Sequence, residues 1–326
     1  MTLRPRLLVL RGGAIGDFVL TLPVLQALRA QWPEAHIEVV GYPHIAELAR
    51  VGGWADRIES LDRAHFARFY SLRPELGEEL VRYVRSFDLA VSFLHDPDGT
   101  VCRNLKSTGI RQVLYVSPVG PAIHATDHLL RALEALAIYA AGTAPRLNWP
   151  AAAVAEGRAR LAAAGVTGAP LALHAGSGSP SKNWPAGRFA ELARAARDSG
   201  WAPFFLWGEA DAVPAEALHA ALPDVPQVTG LELVDAASVL AASAAYVGND
   251  SGITHLAAAL GCPTVAIFGP SDPAIWGPRG DNVTVLRAPG GRLADLTAIR
   301  VCAALSAAAS PGPPRSAWPE PPPPGR

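Results

Sequence analysis

Short runs of β-branched and leucine residues alternate with segments rich in alanine, leucine and arginine along most of the chain. The short runs are typical of buried strands, and the longer segments have the periodicity of helices. This alternation predicts an α/β fold in which crossover helices join parallel strands. In the first half, strands are predicted near Leu7–Arg11, Ile37–Gly41, Leu89–Leu94 and Val113–Val116, and helices near Asp17–Ala30, Glu75–Arg85 and Asp127–Ala140.

The pattern pauses near the midpoint of the chain and then starts again. Residues Ala141–Pro150 have neither periodicity and are typical of a linker. A chain of 326 residues is also longer than the size at which single cores usually divide, about 250–300 residues. Two doubly wound, Rossmann-like domains are therefore predicted, over residues 1–145 and 151–308. The second is expected to contain strands near Leu171–His174, Pro203–Trp207, Tyr246–Val247 and Thr264–Phe268, and helices near Ala186–Asp198, Ala215–Ala221, Ala236–Ala242, Gly252–Leu260 and Leu293–Ala308.

The two ends of the chain bear on its location. Residues 309–326 contain eight prolines, which favours a disordered tail. The apolar run near the start is interrupted by Arg11 and Asp17, which argues against a signal peptide. No segment reaches the roughly 18 uncharged apolar residues of a membrane span. The expected location is the cytoplasm, and peripheral association with the inner face of the cytoplasmic membrane is compatible with the sequence.

Charge and cysteine content exclude several classes of function. The formal net charge of −1 argues against a nucleic-acid partner, because such proteins usually carry a strong positive field. Cys102, Cys262 and Cys302 are isolated, so neither disulfides nor a zinc site is indicated. Asp96 and Asp98 have a spacing that can hold a divalent ion, but they lack companion carboxylates and are also common turn residues. No metal and no cofactor are predicted.

A glycine-rich turn follows the first predicted strand. Open α/β sheets bind ligands beyond the carboxyl ends of their strands, and two facing sheets would leave a cleft there. The turn, Arg11-Gly12-Gly13-Ala14-Ile15-Gly16-Asp17, lacks the glycine at position 14 that a dinucleotide fingerprint needs, and no P-loop lysine follows. Gly12, Gly13 and Gly16 instead place Asp17 at the start of a helix, near the expected cleft. Asp17 is either an ordinary helix-capping residue or a functional carboxylate.

A second motif, His174 to Pro185, lies between a strand and a helix of the second domain. Small residues at Ser177, Gly178 and Ser179 allow close approach of a ligand to the backbone, and Lys182 adds a positive charge. Lys182 is one of two lysines among 28 basic residues, which weakens the alternative of a random surface charge. The composition indicates a pyrophosphate site.

A third motif, Gly248 to Leu256, runs from a strand into an alanine-rich helix. Ser251, Gly252 and Thr254 lie where free amides at a helix N-terminus can meet an anion. Asp250, at the strand end, can accept hydrogen bonds from sugar hydroxyls. His255 is as compatible with a packed histidine as with a ligand contact.

Basic residues in the first domain are candidates for an acceptor surface. His95, Arg103 and Lys106, with Arg111, are expected there, although scattered basic residues more often form a solvated face.

Together the motifs resemble glycosyltransferase family 9, the ADP-heptose:lipopolysaccharide heptosyltransferases, over nearly the whole chain before the tail. The resemblance implies a GT-B fold, inversion at the anomeric carbon and no metal requirement. It implies that Asp17 is the catalytic base, that Lys182 binds the donor phosphates and that Asp250 lies near the donor sugar. His255 falls on the family's histidine. The matching segments are Leu10–Pro23, Gly176–Ser179, Lys182–Pro185, Gly248–Leu256 and Phe268–Pro273.

The expected partners are therefore a nucleotide-sugar donor, with ADP-heptose favoured, on the second domain and a lipid-linked glycan acceptor on the first. Two alternatives stay open. A sugar-nucleotide epimerase or hydrolase can use the same scaffold, because fold alone does not determine function. A non-catalytic nucleotide-sugar-binding protein would also carry the binding motifs.

Overall fold

A computed structural model describes residues 4–310, apart from the side chain of His65, and divides into two compact units. The first unit ends at Thr143 and the second begins at Ala144. The predicted tail lies outside the described residues from position 311 onward. Within residues 4–310, no helix is both long enough and apolar enough to cross a bilayer.

The first unit is built around a five-stranded parallel sheet. Its strand order is β3-β2-β1-β4-β5, and its buried side chains include Leu8, Leu10, Val84 and Leu105. The strands are β1 (Arg6–Leu10), β2 (His36–Gly41), β3 (Arg57–Ser60), β4 (Leu89–Ser92) and β5 (Gln112–Tyr115). The helices are α1 (Ile15–Val19), α2 (Leu22–Gln31), α3 (Pro43–Val51), α4 (Ala64–Ala67), α5 (Glu78–Arg85), α6 (Thr100–Ser107) and α7 (Ala125–Leu130), with 3₁₀ turns at Arg68–Tyr70 and Arg131–Leu136.

The helix predicted over Asp17–Ala30 is wrong in one respect, because it is divided into α1 and α2. Pro23 explains the division: it has no N–H to donate, and its ring excludes the carbonyl oxygen four residues earlier, at Val19. The hydroxyl of Thr21 donates instead to the carbonyl oxygen of Asp17 at 2.8 Å. Asp17 therefore lies in a short, five-residue helix rather than at the start of a long one.

Two other predicted helices are shorter than expected. The helix predicted from Glu75 begins at Glu78, because Gly77 precedes it with a positive φ of 74°. The segment predicted as one helix over Asp127–Ala140 forms the last residues of α7 and then a 3₁₀ turn. The turn stops where Ala137 adopts a left-handed conformation, with φ 54°.

The second unit contains a six-stranded parallel sheet with the order β11-β10-β9-β6-β7-β8. Its core includes the fully buried Trp184, Phe189 and Phe205. The strands are β6 (Ala169–His174), β7 (Trp201–Leu206), β8 (Gln227–Val228), β9 (Ala245–Asn249), β10 (Thr264–Phe268) and β11 (Val283–Arg287). The helices are α8 (Ala151–Ala163), α9 (Ala186–Asp198), α10 (Ala212–Ala221), α11 (Leu233–Ala241), α12 (Gly252–Ala259), α13 (Pro273–Trp276) and α14 (Ala298–Ala308), with 3₁₀ turns at Pro180–Lys182, Glu209–Asp211, Pro289–Gly291 and Leu293–Asp295.

The C-terminal part of the segment predicted as a linker is bonded to the second unit. The N–H of Leu147 donates to the carbonyl oxygen of Ala259 at 2.8 Å, and the indole N–H of Trp149 donates to the hydroxyl of Ser238 at 3.0 Å. Both Leu147 and Trp149 are buried. The last predicted helix, Leu293–Ala308, is also divided, because residues before Thr297 form a 3₁₀ turn and α14 begins only after that side chain caps it.

The predicted two-domain α/β architecture is confirmed, and it fixes where ligands are expected. In each sheet, successive strands are added first on one side and then on the other. The strand order reverses between β1 and β4 in the first unit, and between β6 and β9 in the second. Loops after such neighbouring strands diverge and leave a crevice at the carboxyl edge of the sheet. The three polar motifs follow β1, β6 and β9.

Candidate functional site

Asp17 occupies the third position of α1, directly beyond the carboxyl end of β1. One of its carboxylate oxygens, Oδ2, accepts the N–H of Ala14 at 3.0 Å, so the side chain does cap the helix. The side chain is nevertheless 41% exposed, and Oδ1 is not used by the cap. Capping and an accessible carboxylate therefore coexist in this residue.

The glycines before Asp17 make this arrangement possible. Gly13 has a φ of 97°, and a Cβ at that position would lie 2.9 Å from Oδ2 of Asp17. Gly12 lies in the same loop, and Gly16 is the second residue of α1. A larger residue at position 13 would displace the carboxylate.

Arg11 lies buried beneath this turn, with 4% of its side chain exposed. Its Nη2 donates to the carbonyl oxygen of Asp17 at 3.0 Å and lies 3.6 Å from Oδ1 of the same residue. Nη1 lies 3.5 Å from the carbonyl oxygen of Phe93, just after β4. Burial lowers the pKa of the Arg11 guanidinium, and the charge of Asp17 acts in the opposite direction. Arg11 thus ties together the two loops at the reversal of the first sheet.

Lys182 and Asp250 meet at the corresponding reversal of the second sheet. The ammonium of Lys182 lies 2.8 Å from Oδ2 of Asp250, which also accepts the hydroxyl of Ser271 at 2.5 Å. The Lys182 side chain is 36% exposed, whereas that of Asp250 is only 7% exposed. The pair therefore presents a positive charge toward solvent and keeps the compensating carboxylate inside.

Asn249 holds the glycine- and serine-rich loop in place. Its amide nitrogen donates to the carbonyl oxygens of Ala175 and Gly176, at 2.9 and 3.4 Å, and its amide oxygen accepts the N–H of Trp184 at 3.0 Å. The ring of Trp184 is buried, and its indole N–H donates to the carbonyl oxygen of Leu296 at 2.9 Å. Both ends of the loop are consequently anchored to the protein core.

Inside this loop, the serines bond to each other and to their neighbours. The hydroxyl of Ser177 lies 2.7 Å from the carbonyl oxygen of Ser179 and 2.6 Å from the amide oxygen of Asn183. The hydroxyls of Ser179 and Ser181 lie 2.9 Å apart. Gly178 is exposed, and nothing lies within 4 Å of where its Cβ would be. A ligand can therefore reach the backbone at Gly178.

Helix α12 follows β9, and the glycine- and serine-rich loop follows β6. Because β9 and β6 are paired parallel strands, the N-terminus of α12 lies at the same edge of the sheet as this loop. Ser251 is its N-cap residue and accepts the N–H of Thr254 at 3.4 Å, while Gly252 begins the helix. The Thr254 hydroxyl is fully buried and bonds to the carbonyl oxygen of Asn249 and to the Tyr246 hydroxyl. Thr254 thus stabilises the turn from inside, and its side chain is not available to a ligand.

The two histidines of these motifs are both buried. His255 lies within α12 with about 5% exposed surface. His174 ends β6, and its Nε2 lies 3.1 Å from Oδ2 of Asp211. Burial alone would raise the pKa of Asp211, but the bonds from His174 and from the N–H of Gly208 outweigh it, so the pKa of Asp211 is lowered. A Cβ on Gly176 would lie 1.6 Å from Oδ1 of Asp211, so this position has room only for glycine.

The residues expected on an acceptor surface are spread over the loop after β4 and helix α6. His95 and Lys106 are exposed, and Nη2 of Arg103 donates to the Thr100 hydroxyl at 2.9 Å. Asp96 is buried and its carboxylate accepts the N–H groups of Val101 and Cys102, both at 2.9 Å. Burial opposes these bonds, but their combined effect lowers the pKa of Asp96.

This use of Asp96 agrees with its interpretation as a turn residue. Across residues 4–310, no three His, Cys, Asp or Glu side chains come together as a metal site would require.

Sequence reasoning missed several residues that organise the two sites. Arg11, Asn249 and Ser271 lie inside the motifs that were identified, so their positions were visible but their partners were not. Asp211 lies outside every motif, and no local signal distinguishes it from an ordinary helix-start aspartate. Only the folded chain brings it to His174.

The fold is a two-domain α/β fold with polar loops at the strand reversals of both sheets. The family model for glycosyltransferase family 9 (heptosyltransferase) matches residues 111–301, which is more than half of the chain. This chain therefore belongs to glycosyltransferase family 9.

Among curated relatives, lipopolysaccharide heptosyltransferase 2 of Salmonella typhimurium is 26% identical over 305 residues, covering 86% of this chain and 88% of the relative. Lipopolysaccharide heptosyltransferase 1 of Escherichia coli O18:K1:H7 is 37% identical over 109 residues, covering 33% of each chain. In its alignments with the first curated relatives, the chain spans a third of their length or less.

Solved structures share the fold over most of both chains. A family 9 glycosyltransferase from Veillonella parvula superposes with a TM-score of 0.77 at 20% identity, covering 94% of this chain and 98% of the other. Escherichia coli ADP-heptose heptosyltransferase II gives a TM-score of 0.73 at 21% identity, covering 93% and 98%.

Proposed function

We propose that this protein transfers a heptose from ADP-heptose, or a closely related nucleotide sugar, to a lipopolysaccharide core or similar lipid-linked glycan. The observation that carries the proposal is the Lys182–Asp250 pair at the reversal of the second sheet, in a chain of family 9. An exposed ammonium held at a strand end beside a glycine-containing loop is suited to a diphosphate.

The solved relatives support the choice of donor. Two structures of one Escherichia coli heptosyltransferase, with ADP and with ADP-2-deoxy-2-fluoro heptose, have TM-scores of 0.69 and 0.66 against this chain. We assign the donor to the second unit, where Lys182, the backbone near Gly178 and the start of α12 offer groups that bind anions. Ser177 and Ser179 shape that loop, and Asp250 holds the lysine in place.

The acceptor is assigned to the first unit, where Asp17 provides the proton acceptor. The acceptor hydroxyl oxygen attacks the anomeric carbon, the bond from that carbon to the diphosphate breaks, and the hydroxyl proton passes to Oδ1 of Asp17. Lys182 and nearby amides stabilise the charge that develops on the departing diphosphate. Attack opposite the leaving group inverts the anomeric centre.

The reaction as proposed requires no metal, because Lys182 and the amides neutralise the diphosphate. Activity should therefore be retained in EDTA. Loss of activity in EDTA that manganese or magnesium restores would contradict this part of the proposal. The proposed location is the cytoplasm, at the inner face of the membrane where a lipid-linked acceptor would be reached.

The experiment that tests the function is an assay by mass spectrometry with ADP-heptose, with and without lipopolysaccharide from a heptose-deficient strain. The proposal predicts heptosylated lipopolysaccharide and ADP only when both substrates are present. Consumption of ADP-heptose at the same rate without acceptor would favour an epimerase or hydrolase. Binding of ADP-heptose with no consumption in either arm would favour a non-catalytic binding protein.

A further inference from the structure

Tyrosines lie at the carboxyl edge of the first sheet, the same edge as Asp17 and the loop after β4. Tyr42 directly follows β2, and Tyr115 is the last residue of β5. The strands between them end at the loops of Asp17 and Asp96. Because all five strands are parallel, these residues share one edge of the sheet.

A third tyrosine reaches this edge from outside the sheet. Tyr70 ends the 3₁₀ turn before α5, and its side chain is 49% exposed. Partial burial raises the pKa of Tyr70, and the nearby Asp96 carboxylate and Tyr42 phenol raise it further. The Tyr115 hydroxyl lies 3.4 Å from the carbonyl oxygen of Asp96. Tyr115 therefore contacts the loop after β4 directly, and α6, whose first N–H groups bind Asp96, also holds the segment of Tyr70 through Asn104.

Hydrogen bonds from α6 hold the backbone around Tyr70. The amide nitrogen of Asn104, a buried residue of α6, donates to the carbonyl oxygens of Phe69 and Ser71, both at 2.8 Å. These bonds fix the backbone on both sides of Tyr70. An aromatic side chain on a fixed backbone loses less conformational entropy when a ligand packs on it than one on a flexible loop.

Tyr42 is fixed by its neighbours as well. It is the N-cap residue of α3, and its ring stacks on that of His44, with centroids 6.2 Å apart and planes inclined by 28°. The residue before it, Gly41, lies so close to the loop of Asp17 that a Cβ there would be 2.9 Å from the carbonyl oxygen of Arg11. The backbone just before Tyr42 therefore lies beside the turn that carries Asp17.

We propose that Tyr42 and Tyr70 form the surface on which a pyranose ring of the acceptor glycan packs, with its hydroxyls directed toward the polar groups after β4. This inference rests on the proposed transferase function and assigns the acceptor site within it. One face of a pyranose ring is lined by C–H groups and packs on aromatic rings, while its hydroxyls seek polar partners at the rim. The tyrosines supply both kinds of contact.

The test uses deacylated lipopolysaccharide from a heptose-deficient strain, which removes any contribution of the lipid. Tyr42→Ala and Tyr70→Ala should each raise the KM for this acceptor about tenfold, with the Kd for ADP unchanged by calorimetry. Tyr70→Phe keeps the ring and should retain most of the affinity. Melting temperatures close to that of the parent would show that the variants fold.

Two exposed residues of the same unit provide matched controls. Tyr139 is 78% exposed, and Leu72, two residues after Tyr70, is 81% exposed. Tyr139→Ala and Leu72→Ser should leave the acceptor KM unchanged. If Leu72→Ser weakens the acceptor as much as Tyr70→Ala does, the segment binds apolar groups and not a sugar, which overturns the proposal.

A second readout does not depend on turnover. Saturation-transfer NMR should show magnetisation passing from the protein to the ring protons of the deacylated glycan, and Tyr42→Ala/Tyr70→Ala should abolish it. Undiminished transfer in that double variant contradicts the proposed surface. Transfer in the parent without any heptosylation would contradict the proposed function but support the glycan site.

Discussion

The two sheets reverse strand order in the same way, yet the charged pairs at the reversals are arranged oppositely. In the first unit the cation is buried, with Arg11 4% exposed, and the carboxylate of Asp17 is 41% exposed. In the second unit the carboxylate of Asp250 is 7% exposed and the ammonium of Lys182 is 36% exposed. The exposed member of each pair determines what the site offers a ligand: a proton acceptor in the first unit and an anion-binding group in the second.

The pairs also differ in how they are built. Arg11 directly follows β1 and Asp17 lies in α1 six residues later, so the turn between them sets their distance. Lys182 and Asp250 lie on separate loops that Asn249 connects through the backbone of the glycine-rich segment. The first site is thus defined mainly by local geometry, whereas the second depends on bonds between distant parts of the chain.

The largest expected effect comes from removing the exposed charge of the first pair. Asp17→Asn retains an oxygen that can accept the N–H of Ala14, so the cap and the fold should survive. Turnover should fall by roughly 10²–10⁴-fold, as expected when a general base is lost, with little change in the Kd for ADP. Steady-state rates, calorimetry and melting temperature measure these three quantities. Unchanged turnover would show that Asp17 acts only as a cap, and Asp62→Asn is the exposed control in the same unit.

Removing the exposed charge of the second pair should weaken donor binding. Lys182→Met takes away the ammonium and leaves the buried Asp250 carboxylate to repel the donor. The Kd for ADP should rise by about 10–100-fold, the range expected for a hydrogen bond to a charged group. Lys106→Met, at the other lysine of the chain, should leave this Kd unchanged. Equal ADP affinity in the parent and Lys182→Met would place the diphosphate elsewhere.

The dependence of the second site on distant bonds can be tested through Asp211. Because its pKa is lowered in the folded state, it contributes stability above the ordinary carboxyl value of 3.8, and this contribution is lost as the pH falls through the lower folded value. Asp211→Asn should reduce the free energy of unfolding by about 1–3 kcal/mol at pH 7, with a smaller difference below pH 3.8.

Urea denaturation at pH 7 and pH 3 measures both quantities. The matched control is Asp235→Asn, whose carboxylate forms a more exposed pair with Arg160 at 2.9 Å and should contribute little. A pH-independent difference between the parent and Asp211→Asn would contradict the argument.

The smallest expected effect concerns the support of the buried carboxylate. Ser271→Ala removes a hydrogen bond of 2.5 Å to Asp250, so the carboxylate should hold Lys182 less firmly. The Kd for ADP should rise about fivefold, corresponding to about 1 kcal/mol. Ser199→Ala, which removes a bond to a helix carbonyl far along the chain, provides the calorimetric control. A rise as large as that of Lys182→Met would mean that the serine itself binds the donor.

Sequence patterns predicted the central strands of both sheets but missed three of the four edge strands and helices α3, α6 and α8. Strand β10 and helix α9 were predicted with their observed bounds, because both have continuous or periodic apolar residues. Of the edge strands, β5 was predicted, whereas β3, β8 and β11 were not. Arg57–Ser60 has one apolar residue, Ile58, in four positions. Gln227–Val228 is two residues long, and Val283–Arg287 is partly exposed, so none gives a strong burial signal.

The candidate sites follow the same rule. Glycines and charges within one loop, such as Gly13 and Asp17, could be recognised from their spacing. The partner of a residue could not be predicted when it lies far away in sequence, as Asp211 does from His174. For Thr254, the place at a helix start does not reveal that its hydroxyl is turned into the core and bonds to that of Tyr246.

The scarcity of lysine gives the Lys182–Asp250 pair a practical consequence. The chain has two lysine ε-amines, and the second, Lys106, is exposed on α6 in the other unit. Reductive methylation with ¹³C-formaldehyde would therefore yield a spectrum with two lysine signals. One of them reports directly on the carboxylate of Asp250, 2.8 Å away. Isotope labelling of this kind would give each unit its own reporter without any engineered residue.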